Sequence, residues 1–304
     1  YELTADYGVG YEWYNLPPSI TIVEGNSRKL IGGTQLAAGT YDITASAVNY
    51  NGMATETITL TVTDAPFSNT KSINFASGDY LGANAALLDG VLGRTGNGSG
   101  SSDSWTISLW FKGGTDGSGQ TLFYYGSNDT TNGGYVEARF VGGTDKLRLR
   151  YGSGSNYLQF TTPTDSLPAN SWKHVVITYD GGTTGASSGD LSNYYGRFAI
   201  YIDGVSQSLS NTHGNYGWSG AISGQNLRVG RFASGNYLQN AYVDELAIWG
   251  SDESSNVSAI YNSGSTHDLS NLTSSPDHWW RLGDGDTYPT LQDSVGSAHF
   301  VMYN

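Results

Sequence analysis

The chain has 304 residues and a mass of 32.4 kDa, with no cysteine, 42 glycines, 22 tyrosines and 8 tryptophans. Its formal net charge is −13, from 14 basic and 27 acidic residues. The absence of cysteine excludes disulfides, thiol nucleophiles, Cys-ligated zinc and iron–sulfur clusters, and an acidic chain with no visible basic patch argues against nucleic acid and anionic membrane as partners.

Glycine stands at about twice its usual share of ~7% and punctuates short aromatic and β-branched runs, which predicts many strands and many turns. No apolar run approaches the ~20 residues that a membrane-spanning helix needs. The chain begins at Tyr1 rather than Met, and we read it as a processed or excised piece of something longer.

Residues 1–66 form a first small β unit. Tyr11-Glu12-Trp13 and Gly39-Thr40-Tyr41 open strand signals, and Thr55 to Val62 alternates Thr with Ile, Leu and Val, the period of a half-buried strand. Asn51-Gly52 is a hairpin signal. Residues 67–70 are a linker following Pro66.

Residues 71–304 read as one large β domain. Trp105, Ile107, Leu109 and Phe111 fall on one face of a strand, and Lys146 to Tyr151 alternates cleanly. Lys173 to Tyr179 is followed by Asp180-Gly181, and Phe198 to Ile202 by Asp203-Gly204, a further hairpin signal. Ala241 to Trp249 is another strand, which as a regular strand puts Asp244 on one face with Tyr242, Leu246 and Ile248. A helix is predicted only over Asp252 to Tyr261, opened by Ser251 or Asp252 and stopped by Gly264. A short turn is expected near Ala85–Val91. The fold class is therefore all-β: a small sandwich followed by a larger sandwich or jelly roll.

Four segments carry a more specific likeness. They are Ile73-Asn74-Phe75 with Gly78-Asp79-Tyr80; Trp105 to Phe111; Ser171-Trp172-Lys173-His174 with Tyr179-Asp180-Gly181; and Val229-Gly230-Arg231 through Val243-Asp244-Glu245-Leu246 to Tyr261. In order and spacing, residues 71–264 resemble a laminin-G-like domain of the concanavalin A-like jelly-roll superfamily. The tail, Trp279-Trp280-Arg281 to Gly285 with Asp293 to Gly296, also fits that family; it either closes this sandwich or opens a following module. Gly39-Thr40-Tyr41 and Asn49 to Gly52, ahead of the Thr-rich strand, resemble the Ig-like and cadherin-like modules of bacterial and phage surface proteins.

Asp244 is the most informative single residue, because a carboxylate on an apolar face is costly unless bonded, paired or metal-bound. The resemblance implies a structural calcium ion held by hard oxygen ligands, with Asp79 and the backbone around Ser77-Gly78, or else Asp284 and Asp293 of the tail, as companions. The alternative is an aspartate accepting backbone N–H groups at a loop closure. Two loops carry rings and amides suited to sugar faces and hydroxyls: Tyr194 and Tyr195 in one, Asn215, Tyr216 and Trp218 in the other. The five histidines form no HExxH pair, and the Glu-x-Asp-x-Glu carboxylate pattern is absent. His174 is expected to pack.

These readings predict a non-catalytic phage virion surface, fibre or capsid-decorating protein with a lectin-like domain for host glycan. Its expected partners are virion or surface-assembly proteins, cell-surface glycan and further copies of itself. A purely structural virion protein, a bacterial adhesin and a jelly-roll glycan hydrolase are the alternatives.

Overall fold

The computed structural model describes residues 10–17, 20–23, 26–32, 39–62, 67–93, 104–115, 119–127, 134–153, 156–181, 196–213, 222, 224, 226–232 and 235–304. Two compact units divide the chain, Tyr1–Phe67 and Ser68–Asn304.

The first unit contains β1 (Gly10–Tyr14), β2 (Ile20–Val23), β3 (Asn26–Gly32), β4 (Gly39–Asn49) and β5 (Gly52–Val62). One antiparallel sheet runs β1-β4-β5, and β2 pairs with β3. Trp13, Ile43 and Ala45 are buried, with Ile20, Leu30, Ile58 and Leu60 packed against them. The Thr-rich alternation of β5 has the expected phase: Ile58, Leu60 and Val62 are half-buried and Thr59 and Thr61 exposed. The hairpin before it is displaced by one residue from the Asn51-Gly52 signal. Asn49 pairs with Gly52, so Tyr50 and Asn51 make the turn, and the Asn49 Oδ1 accepts the Asn51 N–H at 2.8 Å. Here an Asx side chain takes the turn that the glycine was expected to supply.

The second unit contains β6 (Ile73–Phe75), β7 (Tyr80–Ala83), β8 (Trp105–Lys112), β9 (Gly119–Gly126), β10 (Tyr135–Val141), β11 (Lys146–Ser153), β12 (Asn156–Thr161) and β13 (Trp172–Tyr179). It continues with β14 (Phe198–Ile202), β15 (Val205–Ser206), β16 (Ser210–His213), β17 (Asn226–Val229), β18 (Ala241–Trp249), α1 (Val257–Tyr261), β19 (His278–Trp280), β20 (Thr290–Leu291) and β21 (Phe300–Tyr303). The large sheet is ordered β16-β12-β11-β10-β9-β17-β7-β21-β20, and the small sheet β15-β14-β13-β8-β18-β19 with β6 beside β18. One continuous core lies between them. Trp105 of the small sheet meets Tyr151 of the large one at 6.5 Å between ring centres, and Phe111 meets Phe140 at 5.2 Å. This is the all-β sandwich of jelly-roll type that the sequence predicts, and Trp105, Ile107, Leu109 and Phe111 all face its core.

Asp203-Gly204 makes the predicted two-residue hairpin, with φ of +50° and +75° between paired Ile202 and Val205. The helix is shorter than expected. Asp252 accepts the Ser254 N–H at 3.0 Å, and Glu253 accepts from Ser251, Asn256 and Ser274 side chains. Those bonds hold residues 252–255 out of the helix, which begins at Val257 and ends at Asn262 in the left-handed region, φ +47°. The C-terminal segment is built into both sheets: β19 pairs with β18 and β21 with β7. Trp280 is fully buried, donates Nε1–H to Ala298 O at 2.7 Å and meets the Phe300 ring at 4.7 Å.

Candidate functional site

The five predicted glycan-binding residues, Tyr194, Tyr195, Asn215, Tyr216 and Trp218, lie outside the described residues. The four predicted metal ligands have distinct settings. Asp79 accepts the Ala76 N–H at 2.8 Å within a turn. Asp293 is buried and accepts from His278 Nδ1 at 2.6 Å and from the backbone N–H groups of Trp279, Val295, Gly296 and Ala298. Burial pushes its carboxyl up, but these donors outweigh that and hold it below the usual carboxylate range. Asp284 takes the Thr70 hydroxyl and the Thr70 and Lys71 N–H groups. Among the described residues, no group of three or more His, Asp or Glu is arranged to hold a metal.

Asp244 sits differently from the regular-strand expectation. The register of β18 against β8 shifts between Asp244 and Ala247, and Glu245 adopts φ +49°. This bulge reverses the alternation: Val243, Leu246 and Ile248 face the core, while Asp244 and Glu245 turn to the other side. Asn69 Nδ2 donates to both, at 3.1 Å to Asp244 Oδ2 and 2.8 Å to Glu245 Oε1. Glu245 also accepts from Trp279 Nε1 at 2.6 Å and lies 3.6 Å from Arg281 Nε. Burial, with a smaller push from Asp284, takes Asp244 up to about 7, and burial with the charge of Asp244 takes Glu245 up to about 8. Asp244 opens onto a cleft of about 530 Å³ walled by Asn69, Lys71, Trp110, Trp172 and Thr266. His174 packs as expected, between Trp110 and Tyr261 at 5.0 and 5.5 Å, with Nε2 against Ser108 Oγ at 2.8 Å.

The outward face of the large sheet is the second candidate. Alternation along β10 and β11 sends Val136, Ala138, Leu147 and Leu149 into the core, and therefore Glu137, Arg139, Arg148 and Arg150 outward. Register sets Glu137 opposite Arg150, and Arg139 opposite Arg148. The row continues from Arg150 to Gln159 on β12, and from Glu137 through Tyr124 to Arg228 on β17. Arg231 follows directly and lies over the rings of Tyr80 and Tyr237 at 4.7 and 5.2 Å. Arg150 lies over Tyr157 at 4.4 Å. A neighbouring hollow of about 370 Å³ is lined by Tyr80, Asn84, Asn226, Arg228, His299 and Tyr303. Glu137 is the one carboxylate on the outward positions of β9 to β12 and β17 among the described residues. It is buried, accepts from Arg139 Nε at 2.8 Å and from Thr121 at 2.9 Å.

The sequence does not reveal this face, because its arginines are scattered over three separate stretches. The signal that was present is the clean Lys146–Tyr151 alternation, which already placed Arg148 and Arg150 side by side on one surface.

The family model described as the concanavalin A-like lectin/glucanases superfamily matches residues 93–256. No curated protein matches the chain. Among solved structures, a Bacteroides ovatus protein described as a candidate carbohydrate-binding protein is 15% identical. It has a TM-score of 0.50 and the match covers 94% of this chain and 77% of that one. A heptameric pentraxin from Limulus polyphemus is 13% identical with a TM-score of 0.41, covering 78% and 93%. The mouse laminin α1 LG4-5 domains are 12% identical with a TM-score of 0.37, covering 68% and 48%. At such identities the Bacteroides likeness concerns the fold.

Proposed function

We propose that this chain, which belongs to the concanavalin A-like lectin/glucanase superfamily, is a non-catalytic carbohydrate-binding surface protein. The observation that carries this reading is the outward face of the large sheet. Tyr157 and Tyr303 supply rings, and Asn226, Gln159 and the arginines supply fixed polar groups, the mixture that stacks on sugar C–H faces and bonds to hydroxyls. Glycosidic hydrolysis needs two carboxylates flanking the bond. The described part of this face offers Glu137 alone, already committed to Arg139. The test is a panel of immobilised glycans probed with wild type and Tyr157→Ala. Binding that falls at least tenfold in the variant supports the reading; a panel to which the wild type does not bind overturns it.

The finer setting we propose is a phage virion surface or fibre, with host glycan as ligand and virion proteins and further copies of the chain as partners. It rests on the resemblance of residues 1–66 to the modules of bacterial and phage surface proteins. Antibody labelling of intact particles tests it, and a chain found only in the host envelope would overturn it in favour of an adhesin.

A calcium ion belongs to the same proposal in narrower form than the sequence suggests. Its support is the family resemblance together with local charge, since Asp244 and Asp284 share one guanidinium, Arg281, while the described carboxylates form no ready three-ligand set. The Asn69 amide, bridging both buried carboxylates, occupies the kind of position that a hard cation would take. Chelation that lowers the melting temperature supports it, and an unchanged melting temperature excludes a stabilising ion.

A further inference from the structure

The outward face of the large sheet collects positive charge in a chain of net charge −13. Five of its nine arginines, Arg139, Arg148, Arg150, Arg228 and Arg231, stand there with Lys146, against one carboxylate among the described residues, Glu137. Two of them face each other directly: Arg139 and Arg148 are cross-strand partners. Like charges placed opposite one another destabilise a sheet, so the arrangement is one that folding alone does not favour. Arg139 is neutralised by Glu137, and Arg228 bonds Asn226 at 2.7 Å. Arg148 and Arg231 differ. Each has a buried Nε with no hydrogen-bond partner among the described residues. Burial, then Arg150 and Arg139, pushes the Arg148 guanidinium down to about 10. Burial and Arg231 likewise push Arg228 down.

We infer that this face recognises an acidic glycan, whose sugar-borne carboxylate or sulfate is held by Arg148 and Arg150 and flanked by Arg228 and Arg231. This deepens the glycan-binding reading and rests on it. Guanidinium forks pair with planar anionic groups through two parallel N–H bonds, which a lysine cannot reproduce. Tyr157, beside Arg150, and the exposed Tyr303, stacked on Tyr80 at 4.7 Å, bring aromatic rings next to the charges. A sugar fits that pairing, since it presents an apolar C–H face and an anion on one ring. A nucleic acid backbone would take the arginines, but its length would carry it onto an acidic protein.

The experiment is calorimetric titration with an oligogalacturonate, its fully methyl-esterified form, and a sulfated galactan oligosaccharide with its desulfated counterpart. Wild type is expected to bind at least one anionic form at least tenfold more tightly than its neutral partner, and the tighter of the two identifies carboxylate or sulfate as the group read. The double variant R148Q/R150Q should lose that preference while keeping the wild-type melting temperature within a few degrees, and R148K/R150K should recover only part of it. Equal binding of charged and neutral forms overturns the charge inference and leaves the glycan reading standing. Binding of none of the four overturns both for this face. Duplex DNA bound as tightly as the anionic oligosaccharide at 0.15 M salt would overturn glycan recognition in favour of general polyanion binding.

Discussion

Asp244 and Glu245 are adjacent acids held in a bulge, and their burial has a measurable sign. In an unfolded chain both titrate near ~4; folded, they are pushed up to about 7 and about 8. The folded state therefore holds more protons than the unfolded one across that interval, so stability falls as pH rises from ~4 towards 8. His174 opposes this at the acid end. Its imidazole is pushed down to about 4 by burial, so its contribution is lost as pH falls from ~6.5. By about pH 7.5 His174 is neutral in both states, and above that the two acids decide. Around them stand Asn69, Trp279, Arg281 and Asp284, with His174 and His267 across a small internal void from Glu245. The wild-type melting temperature should therefore drop by about 2–6 °C between pH 6.5 and 8.5, from ~1–2 kcal/mol of linkage. Glu245→Gln keeps an acceptor for Trp279 and should remove at least half of that drop. A variant with the wild-type slope would show that Glu245 is ionised in the folded protein at neutral pH.

Elements whose periodicity is unbroken were legible before any coordinates. In β8 every second residue from Trp105 to Phe111 is apolar, and those residues are the ones in the core. Asp203-Gly204 is another legible case, because few other residue pairs adopt two successive positive φ values. The bulge at Glu245 was not legible. Glutamate carries no preference for φ +49°, so strict alternation through Val243 to Ile248 assigned Asp244 to the wrong face. The helix start failed for a related reason: Ser251 and Asp252 are N-terminal capping residues by type, but here their side chains close a turn ahead of the helix. Of the candidate site, the Lys146–Tyr151 alternation was visible, while the register that sets Arg139 opposite Arg148 depends on the turn between β10 and β11, and the one that brings Arg228 alongside Tyr124 joins strands far apart in the chain. The tail was the opposite case, with a visible motif and an undecided place. Trp280 now joins the two layers, and Trp280→Ala should cost ~3–5 kcal/mol in chemical denaturation. Trp172→Ala, at a site 40% exposed, should cost much less. Equal costs would mean that the tail is not part of the cooperative core.

For the molecule as a whole, the acidic balance and the arginine face act at different distances. Counted over the full chain, charge repels a polyanion, and in 0.15 M salt that repulsion is screened beyond ~8 Å. Close to the large sheet the local excess of guanidinium wins, over a width of about 24 Å from β12 to β7 at the usual strand spacing. A short acidic oligosaccharide can lie wholly within that width. A long polyanion cannot; its ends extend over surface where acids predominate. Lowering the salt strengthens both effects, so the two ligands should respond differently. From 0.15 M to ~0.02 M salt, an anionic oligosaccharide should tighten markedly, because it meets only the arginines. The parent polymer should tighten several-fold less per bound segment, because its flanks are repelled more strongly as screening is removed. Titrations of the two ligands at both salt concentrations compare these slopes directly. Parallel slopes would mean that the net charge of −13 does not reach the bound ligand, and that selection for short acidic segments has to come from contacts rather than from the field of the whole protein.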